Sequence, residues 1–333
     1  MKKIAINGLG RIGRLALRAA FDKHRDSLQI AAINVSSGTD LEGWKWLLLF
    51  DSVYGKWNRK VEISKNGILT IDGVEIPVFS EKEVENLPWG NLRIDTVLEC
   101  TGTMRTKEKL EQHLKAGAKR VILSAPAEDE SIKTVVLGVS DLSNLGNLIS
   151  NASCTTNCIV PVTKIISDAF GVSKAMMTTA HAATSDQRLL DGSHKDYRRA
   201  RCALNNIIPT VTGASKAATL VIPELQNKFT GLSLRVPVVC GSIADITLLL
   251  KQNVTVDQIN EALTQASQTP IYNSIVAVSA DPLVSSDIIG RTESAIVDLS
   301  LTQVCDGNLI KVVAWYDNEW AYANRLVELA EAY

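Results

Sequence analysis

Six residues near the N-terminus, Gly8-Leu9-Gly10-Arg11-Ile12-Gly13, constrain the fold of this chain more than any others. They follow an apolar run, Lys3 to Ile6, that reads as a buried strand. They open a stretch, Arg11 to Phe21, with the apolar spacing of a helix. A second strand, Gln29 to Ile33, ends about 20 residues further on, which is the layout of a dinucleotide-binding βαβ unit. Glycine permits the tight turn and lets a pyrophosphate approach the backbone, while the helix N-terminus offers free N–H groups. The motif alone is a weak signal, but in this context it reads as a cofactor site built on Gly8, Gly10, Arg11, Ile12 and Gly13. At the end of the second strand an Asp or Glu normally bonds the ribose hydroxyls. This chain has Asn34 there, followed by Val35-Ser36-Ser37-Gly38-Thr39. No carboxylate then repels a 2′-phosphate, and Ser36, Ser37 and Thr39 offer donors to one. No Arg stands nearby to clamp it, so the expected cofactor is NAD or NADP.

Strand and helix go on alternating. Thr96 to Cys100, Lys119 to Leu123 and Thr134 to Leu137 read as strands, and Lys107 to Ala116 as a helix. This predicts an α/β fold with a Rossmann-type, doubly wound parallel sheet. Val61 to Ile63 and Gly67 to Gly73 read as an antiparallel excursion. After about residue 150 the texture changes. A helix from Thr155 to Ala169 precedes a polar stretch, His181 to Arg201. The β-runs Leu232 to Val239, Ile243 to Leu250, Ala295 to Leu299 and Leu309 to Trp315 follow. They predict an α+β catalytic domain with a mainly antiparallel sheet. A chain of 333 residues exceeds what one core usually organises. The expected division is a dinucleotide-binding domain over 1–150, joined by the C-terminal helix 318–333, and a catalytic domain over 151–317.

Lys+Arg is 35 against Asp+Glu 36, so the net charge of -1 gives no electrostatic case for nucleic acid or an anionic membrane. No apolar run is long enough to span a bilayer and no secretory leader is recognisable, which predicts a cytoplasmic protein. Six cysteines scattered over this length do not form a disulfide framework. Cys154, in Ser153-Cys154-Thr155-Thr156-Asn157-Cys158, falls where a helix begins. There the dipole and backbone N–H groups are expected to lower its pKa and make it a nucleophile. Cys158, one turn further on, reads as a buried inert thiol, and two cysteines without a further ligand cluster predict no metal site. Pro161 is expected to disturb the helix locally. Of the four histidines, His24 and His113 lie in the nucleotide half and His194 in the polar loop. His181 closes a β-run and is the best candidate base.

Ala152-Ser153-Cys154-Thr155-Thr156-Asn157-Cys158 resembles the active-site motif of the phosphorylating glyceraldehyde-3-phosphate dehydrogenases. The similarity runs end to end. It includes Ile6 to Arg14, Ser124-Ala125-Pro126-Ala127, His194 to Arg201, Ile208 to Ala214, Leu234 to Pro237 and Trp315 to Trp320. The resemblance implies that Cys154 attacks the aldehyde of D-glyceraldehyde 3-phosphate and that His181 is the base. It implies hydride transfer to the nicotinamide, then attack of inorganic phosphate on a thioester to release 1,3-bisphosphoglycerate. Asn318 resembles the amide that orients the nicotinamide, and Thr101 and Ser124 fall among the implied cofactor contacts. Ser153, Thr155, Thr184, Arg199, Thr212, Gly213 and Arg235 match the family's phosphate ligands, and guanidinium forks and hydroxyls are what phosphate oxygens need. A homotetramer is also implied, with the polar loop from about 182 to 205 reaching a neighbouring subunit.

Three departures stand out: Ala183 lies in Ala182-Ala183-Thr184 where Tyr is usual, Ala321 replaces Gly, and Asn34 replaces Asp. None removes a chemical group from the mechanism. The nearest rival is the non-phosphorylating erythrose-4-phosphate dehydrogenase branch, in which water attacks the thioester. A non-catalytic nucleotide-binding protein would have no need of Cys154, His181 and Asn318 together, and a cysteine hydrolase would not need the glycine fingerprint.

Overall fold

The computed structural model describes residues 1–35, 38–64 and 66–333. Ser36 and Ser37, expected as 2′-phosphate donors, lie outside the described residues.

The strand Lys2–Asn7 is buried along its last four residues, as a strand covered on both faces must be. It pairs in parallel with Leu28–Asn34 on one side and Thr96–Glu99 on the other. Arg120–Leu123, Leu148–Ser150 and Lys133–Thr134 continue the sheet in parallel beyond Thr96–Glu99. Beyond Leu28–Asn34 comes Val74–Phe79, also parallel, and then Ile68–Ile71 and Val61–Ile63 in antiparallel pairing. The excursion turns back at Asp72 and Gly73, both at positive φ (47° and 83°), the backbone that an Asp-Gly hairpin turn adopts. Among the described residues this makes a nine-stranded sheet. The expected doubly wound sheet is present, with its antiparallel edge.

One strand is shorter than expected. Thr134 to Leu137 was to be extended, but the strand is Lys133–Thr134. Val136 N–H donates to Ser140 Oγ at 3.0 Å and Ser140 N–H donates to the Val136 carbonyl at 2.9 Å. This closed turn, with Gly138 at φ 83°, takes the chain out of the sheet.

The chain separates into two compact units. The first holds Met1–Val135, Asp141–Ala152 and Ala323–Tyr333; the second holds Val136–Ser140 and Ser153–Tyr322. In the first unit the end of the last helix, Trp320–Ala332, is tied to the N-terminal segment. Lys2 Nζ donates to the Glu331 carbonyl at 2.6 Å, and His24 Nδ1 lies 2.9 Å from Glu331 Oε2.

The second unit is built on a sheet in the order Ile208–Val211, Phe229–Val236, Val172–Ala182, Ser242–Leu250, Leu309–Tyr316, Ala295–Asp298, Val276–Ser279. Val172–Ala182 runs parallel to Phe229–Val236, and Val276–Ser279 parallel to Ala295–Asp298; the other pairs are antiparallel, as the sequence predicts. Ser242–Leu250 alternates strictly between buried and half-buried residues, the pattern of a strand with one face on a core. The helix Cys154–Phe170 carries eleven buried residues and ends at Gly171, whose φ of 68° suits glycine. It runs through Pro161 without a break, although Pro161 has no N–H to return to the Asn157 carbonyl.

Candidate active site

The glycine loop lies at the mouth of a cavity of about 650 Å³ in the first unit. Gly8, Gly10, Asn34, Val35, Thr101 and Lys82 are among its lining residues. Each glycine has its own reason. A Cβ on Gly8, at φ 95°, would sit 2.8 Å from the Thr101 nitrogen. One on Gly13 would meet the Gly8 carbonyl oxygen at 2.0 Å. Gly10 faces open space, so the loop presents bare backbone where a pyrophosphate needs it. These residues fit a dinucleotide.

The other expected cofactor residues divide. Arg11 is held by Asp51, 2.5 Å away, and its charge keeps that carboxyl below the usual range despite burial. Ile12 is half-buried in the first helical turn. Ser124 hydrogen-bonds the Cys100 thiol and only partly opposes the burial that pushes it up to about 12. Asn34 is buried and committed within the protein. Its Nδ2 donates to Asn7 Oδ1 at 2.8 Å and to the Glu81 carbonyl at 3.0 Å, while its Oδ1 accepts from Glu81 N–H at 2.9 Å. Asn34 thus ties two strand ends together, and both Asn34 and Val35, immediately after it, line the cavity without offering a carboxylate.

In the second unit Ser153 caps the helix, its Oγ accepting from Thr156 N–H at 3.1 Å, and Cys154 begins the first turn half-buried. Strand pairing brings the partners. His181, second from the end of Val172–Ala182, lies opposite Arg235 in the neighbouring parallel strand. The Cys154 Sγ and His181 Nε2 are 3.4 Å apart. His181 Nδ1 is 2.7 Å from the Ala182 carbonyl, which can only accept, so the proton sits on Nδ1 and the Nε2 lone pair faces the thiol. Arg235 Nη1 donates to the Ala182 carbonyl at 3.2 Å and to Thr184 Oγ1 at 3.0 Å, and its 3.2 Å approach to the protonated His181 Nδ1 is a contact between two donors, not a hydrogen bond. Its Nε is buried without a partner, and among the described residues no carboxylate pairs with it. A guanidinium held this way is an anion site in waiting.

The chain belongs to the glyceraldehyde-3-phosphate dehydrogenase family. Residues 2–107 match that family's NAD-binding domain and residues 153–318 its C-terminal domain. The chain is 48% identical to the glyceraldehyde-3-phosphate dehydrogenase of Borreliella burgdorferi, over 99% of this chain and 98% of that one. It is 46% identical to the namesake of Clostridium pasteurianum, over 99% and 98%. For that of Geobacillus stearothermophilus the figures are 46%, over 98% and 97%. As a member of this family the chain is an oxidoreductase that uses a nicotinamide dinucleotide.

The remaining family phosphate positions lie in the same unit, and the Arg199 charge is felt by both His181 and Arg235. Arg199 Nε donates to Thr210 Oγ1 at 3.0 Å and its Nη1 pairs with Asp186. Thr212 Oγ1 accepts from Ala214 N–H at 3.2 Å, and the exposed Gly213 precedes the helix Ala214–Val221. The Thr155 hydroxyl is buried against Tyr316 Oη at 3.0 Å. Asn318 is buried, its Oδ1 accepting from Ser242 Oγ at 2.9 Å, and the same Ser242 Oγ accepts from Ala182 N–H at 3.1 Å.

Tyr316, Thr179 and Ser242 were missed by sequence reasoning. Tyr316 Oη bridges Thr155 and Thr179, at 3.0 and 2.8 Å, and its ring stands edge-on to His181. Thr179 shares a strand face with His181 and was findable from the period of two. Tyr316 and Ser242 arrive through strand pairing across about 60 residues or more, which leaves no local signal.

The electrostatics differ from the sequence expectation. Burial pushes the Cys154 thiol up from its ordinary value, and the Arg235 charge and the Thr155 N–H only partly oppose it. Burial, then Arg235, pushes His181 down to about 3. The helix N-terminus was expected to lower the thiol pKa, but it is outweighed by loss of water. Both shifts favour the uncharged forms of the two groups.

Proposed function

We propose that this chain catalyses the phosphorylating oxidation of D-glyceraldehyde 3-phosphate to 1,3-bisphosphoglycerate with NAD or NADP, in glycolysis or gluconeogenesis. The observation that carries the reading is the 3.4 Å contact between the Cys154 thiol and the His181 Nε2 lone pair, with Arg235 beside the imidazole. His181 takes the thiol proton as Sγ attacks the aldehyde carbon, and returns it to the carbonyl oxygen to give a hemithioacetal. The bound nicotinamide supplies the hydride acceptor. His181 takes the hydroxyl proton as the carbon is oxidised, leaving a thioester on Cys154. Inorganic phosphate then attacks the thioester and the departing thiolate regains its proton from His181. Arg235, Thr184, Arg199, Thr212, Gly213, Ser153 and Thr155 serve the two phosphate groups. Arg235, with its orphaned Nε, has the strongest physical support.

Under this reading the first unit binds the dinucleotide through Gly8, Gly10, Gly13 and Thr101, and Asn318 orients the nicotinamide. The chain works in the cytoplasm; among the described residues no helix is long and apolar enough to cross a membrane. It assembles with further copies of itself. Leu189, Leu190, Tyr197, Leu204, Ile207 and Val211 are all at least 60% exposed, and an apolar set of this size favours a covering subunit.

The test follows reduced nicotinamide by absorbance with glyceraldehyde 3-phosphate, with and without inorganic phosphate. Turnover that depends on phosphate is the expected result. Turnover indifferent to phosphate would place the chain on the hydrolytic, erythrose-4-phosphate branch.

Cofactor choice has its own test. With no carboxylate at Asn34 or at Val35, just beyond the second strand, NADP is accepted alongside NAD. Val35→Asp puts a carboxylate against a 2′-phosphate and moves the ratio of kcat/KM values toward NAD by about tenfold or more, the equivalent of about 1.4 kcal/mol. An unchanged ratio would mean that selectivity lies elsewhere.

A further inference from the structure

Beneath the dinucleotide cavity lies a fully buried carboxylate that the chemistry above does not use. Glu99 and His113 have no exposed surface, and Asn7 and Asn34 are also buried. Donors converge on both Glu99 oxygens. Oε2 accepts from Asn7 Nδ2 at 2.6 Å and contacts His113 Nε2 at 3.0 Å. Oε1 accepts from Thr101 N–H at 2.8 Å and from the Thr101 hydroxyl. The histidine's role is settled by its other nitrogen. Trp89 Nε1–H, which can only donate, reaches His113 Nδ1 at 3.1 Å, so Nε2 carries the proton and gives it to Glu99. Only an acceptor on both oxygens satisfies this set; an amide would turn an N–H against a donor.

Asn7, Asn34 and Thr101 all line the cavity, whereas Glu99, His113 and Trp89 do not. Asn7 passes the constraint on, accepting from Asn34 Nδ2 at 2.8 Å. The strand ends Asn7 and Asn34 and the loop at Thr101 are therefore held to one another by a single buried group. Glycine 8 depends on the same arrangement, because Thr101 is the backbone that its missing Cβ would strike.

We propose that Glu99, oriented by the Trp89–His113 pair, is a positioning residue for the dinucleotide: it sets the cavity floor that the cofactor meets. The inference rests on the cavity being the dinucleotide site. Glu99→Gln keeps the shape and removes one acceptor. It raises KM and Kd for NAD by about tenfold or more while kcat at saturation falls no more than about threefold. Thr101→Val, which removes one of the donors, does the same, and Thr101→Ser restores the wild-type values.

Thermal melting establishes that each variant is folded. If Glu99→Gln does not fold, Trp89→Phe, which removes the donor that orients His113 and lies outside the cavity lining, raises KM for NAD in the same way. A folded Glu99→Gln, or Trp89→Phe in its place, with a KM for NAD within twofold of wild type overturns the proposal. Gly10→Phe separates this from the underlying reading, since Gly10 lines the cavity with open space where a side chain would go. If Gly10→Phe leaves NAD binding intact, the cavity is not the dinucleotide site. If it abolishes binding while the Glu99 and Thr101 variants are normal, only the role of Glu99 fails.

Discussion

Replacing Cys154 by serine lowers dehydrogenase turnover by roughly 10⁴-fold and leaves dinucleotide binding at the wild-type level. The substitution keeps the size and the hydrogen-bonding position opposite His181 Nε2, 3.4 Å from the sulfur in the native chain. What it removes is a nucleophile whose proton an imidazole can take. Burial already holds the Cys154 thiol above its ordinary pKa, and an alcohol starts several units higher. It also forms an ester, not a thioester, so the acyl group passes to phosphate less readily. Cys158, buried and further raised by burial, cannot replace it. Steady-state turnover and the binding of NAD, measured on the same sample, check the prediction. Turnover within tenfold of wild type would mean that the nucleophile is another group.

The second large effect is that of His181→Gln, which lowers kcat by about 10²- to 10⁴-fold, the usual worth of a positioned general base. It also changes the pH dependence of stability, and the sign follows from the direction of the shift. The folded-state pKa of His181, about 3, lies below the ordinary value of 6.5. Between those values the unfolded chain binds a proton at this position that the folded chain refuses. Falling pH therefore favours unfolding, by about 1.4 kcal/mol per pH unit below 6.5. Above 6.5 both states are neutral and the contribution is flat. Glutamine does not titrate, so between pH 7 and pH 5 the wild type loses about 2 kcal/mol more than His181→Gln. Denaturant unfolding of both proteins at the two pH values measures this. Equal losses would mean that His181 takes up its proton as easily folded as unfolded, and that burial does not govern it.

The other histidines explain why the choice fell on His181. His113 is enclosed with Glu99 and Trp89, His24 pairs with Glu331, and His194 lies 3.6 Å from Asp186. Each is engaged in its own neighbourhood, whereas strand pairing delivers His181 to the thiol.

What could be read from the residues in order was whatever depends on a few neighbours. The glycine loop declared itself because φ, turn closure and a helix start are decided within about one turn of chain. Ser153 and Cys154 could be placed at a helix start for the same reason, since a cap acts over three residues. Runs of β-forming residues marked the strands of the second sheet, and the Asp72-Gly73 hairpin followed from its turn residues. The end of Lys133–Thr134 was less legible, because Val135 to Leu137 suit a strand and only the Val136–Ser140 turn stops it.

The tertiary structure decided the rest. Asn34 could be placed at the end of the second strand from the residues, but only strand packing shows its amide bonded to Asn7 and Glu81. Glu99 carried no signal, since its partners lie on a different strand, a helix and a loop. The direction of the Cys154 shift differs from the one expected from sequence, because a helix N-terminus is visible in the residues and the loss of water around Cys154 and His181 is not. Local geometry is written in local sequence; burial, and the charges that burial controls, exist only once distant segments have packed.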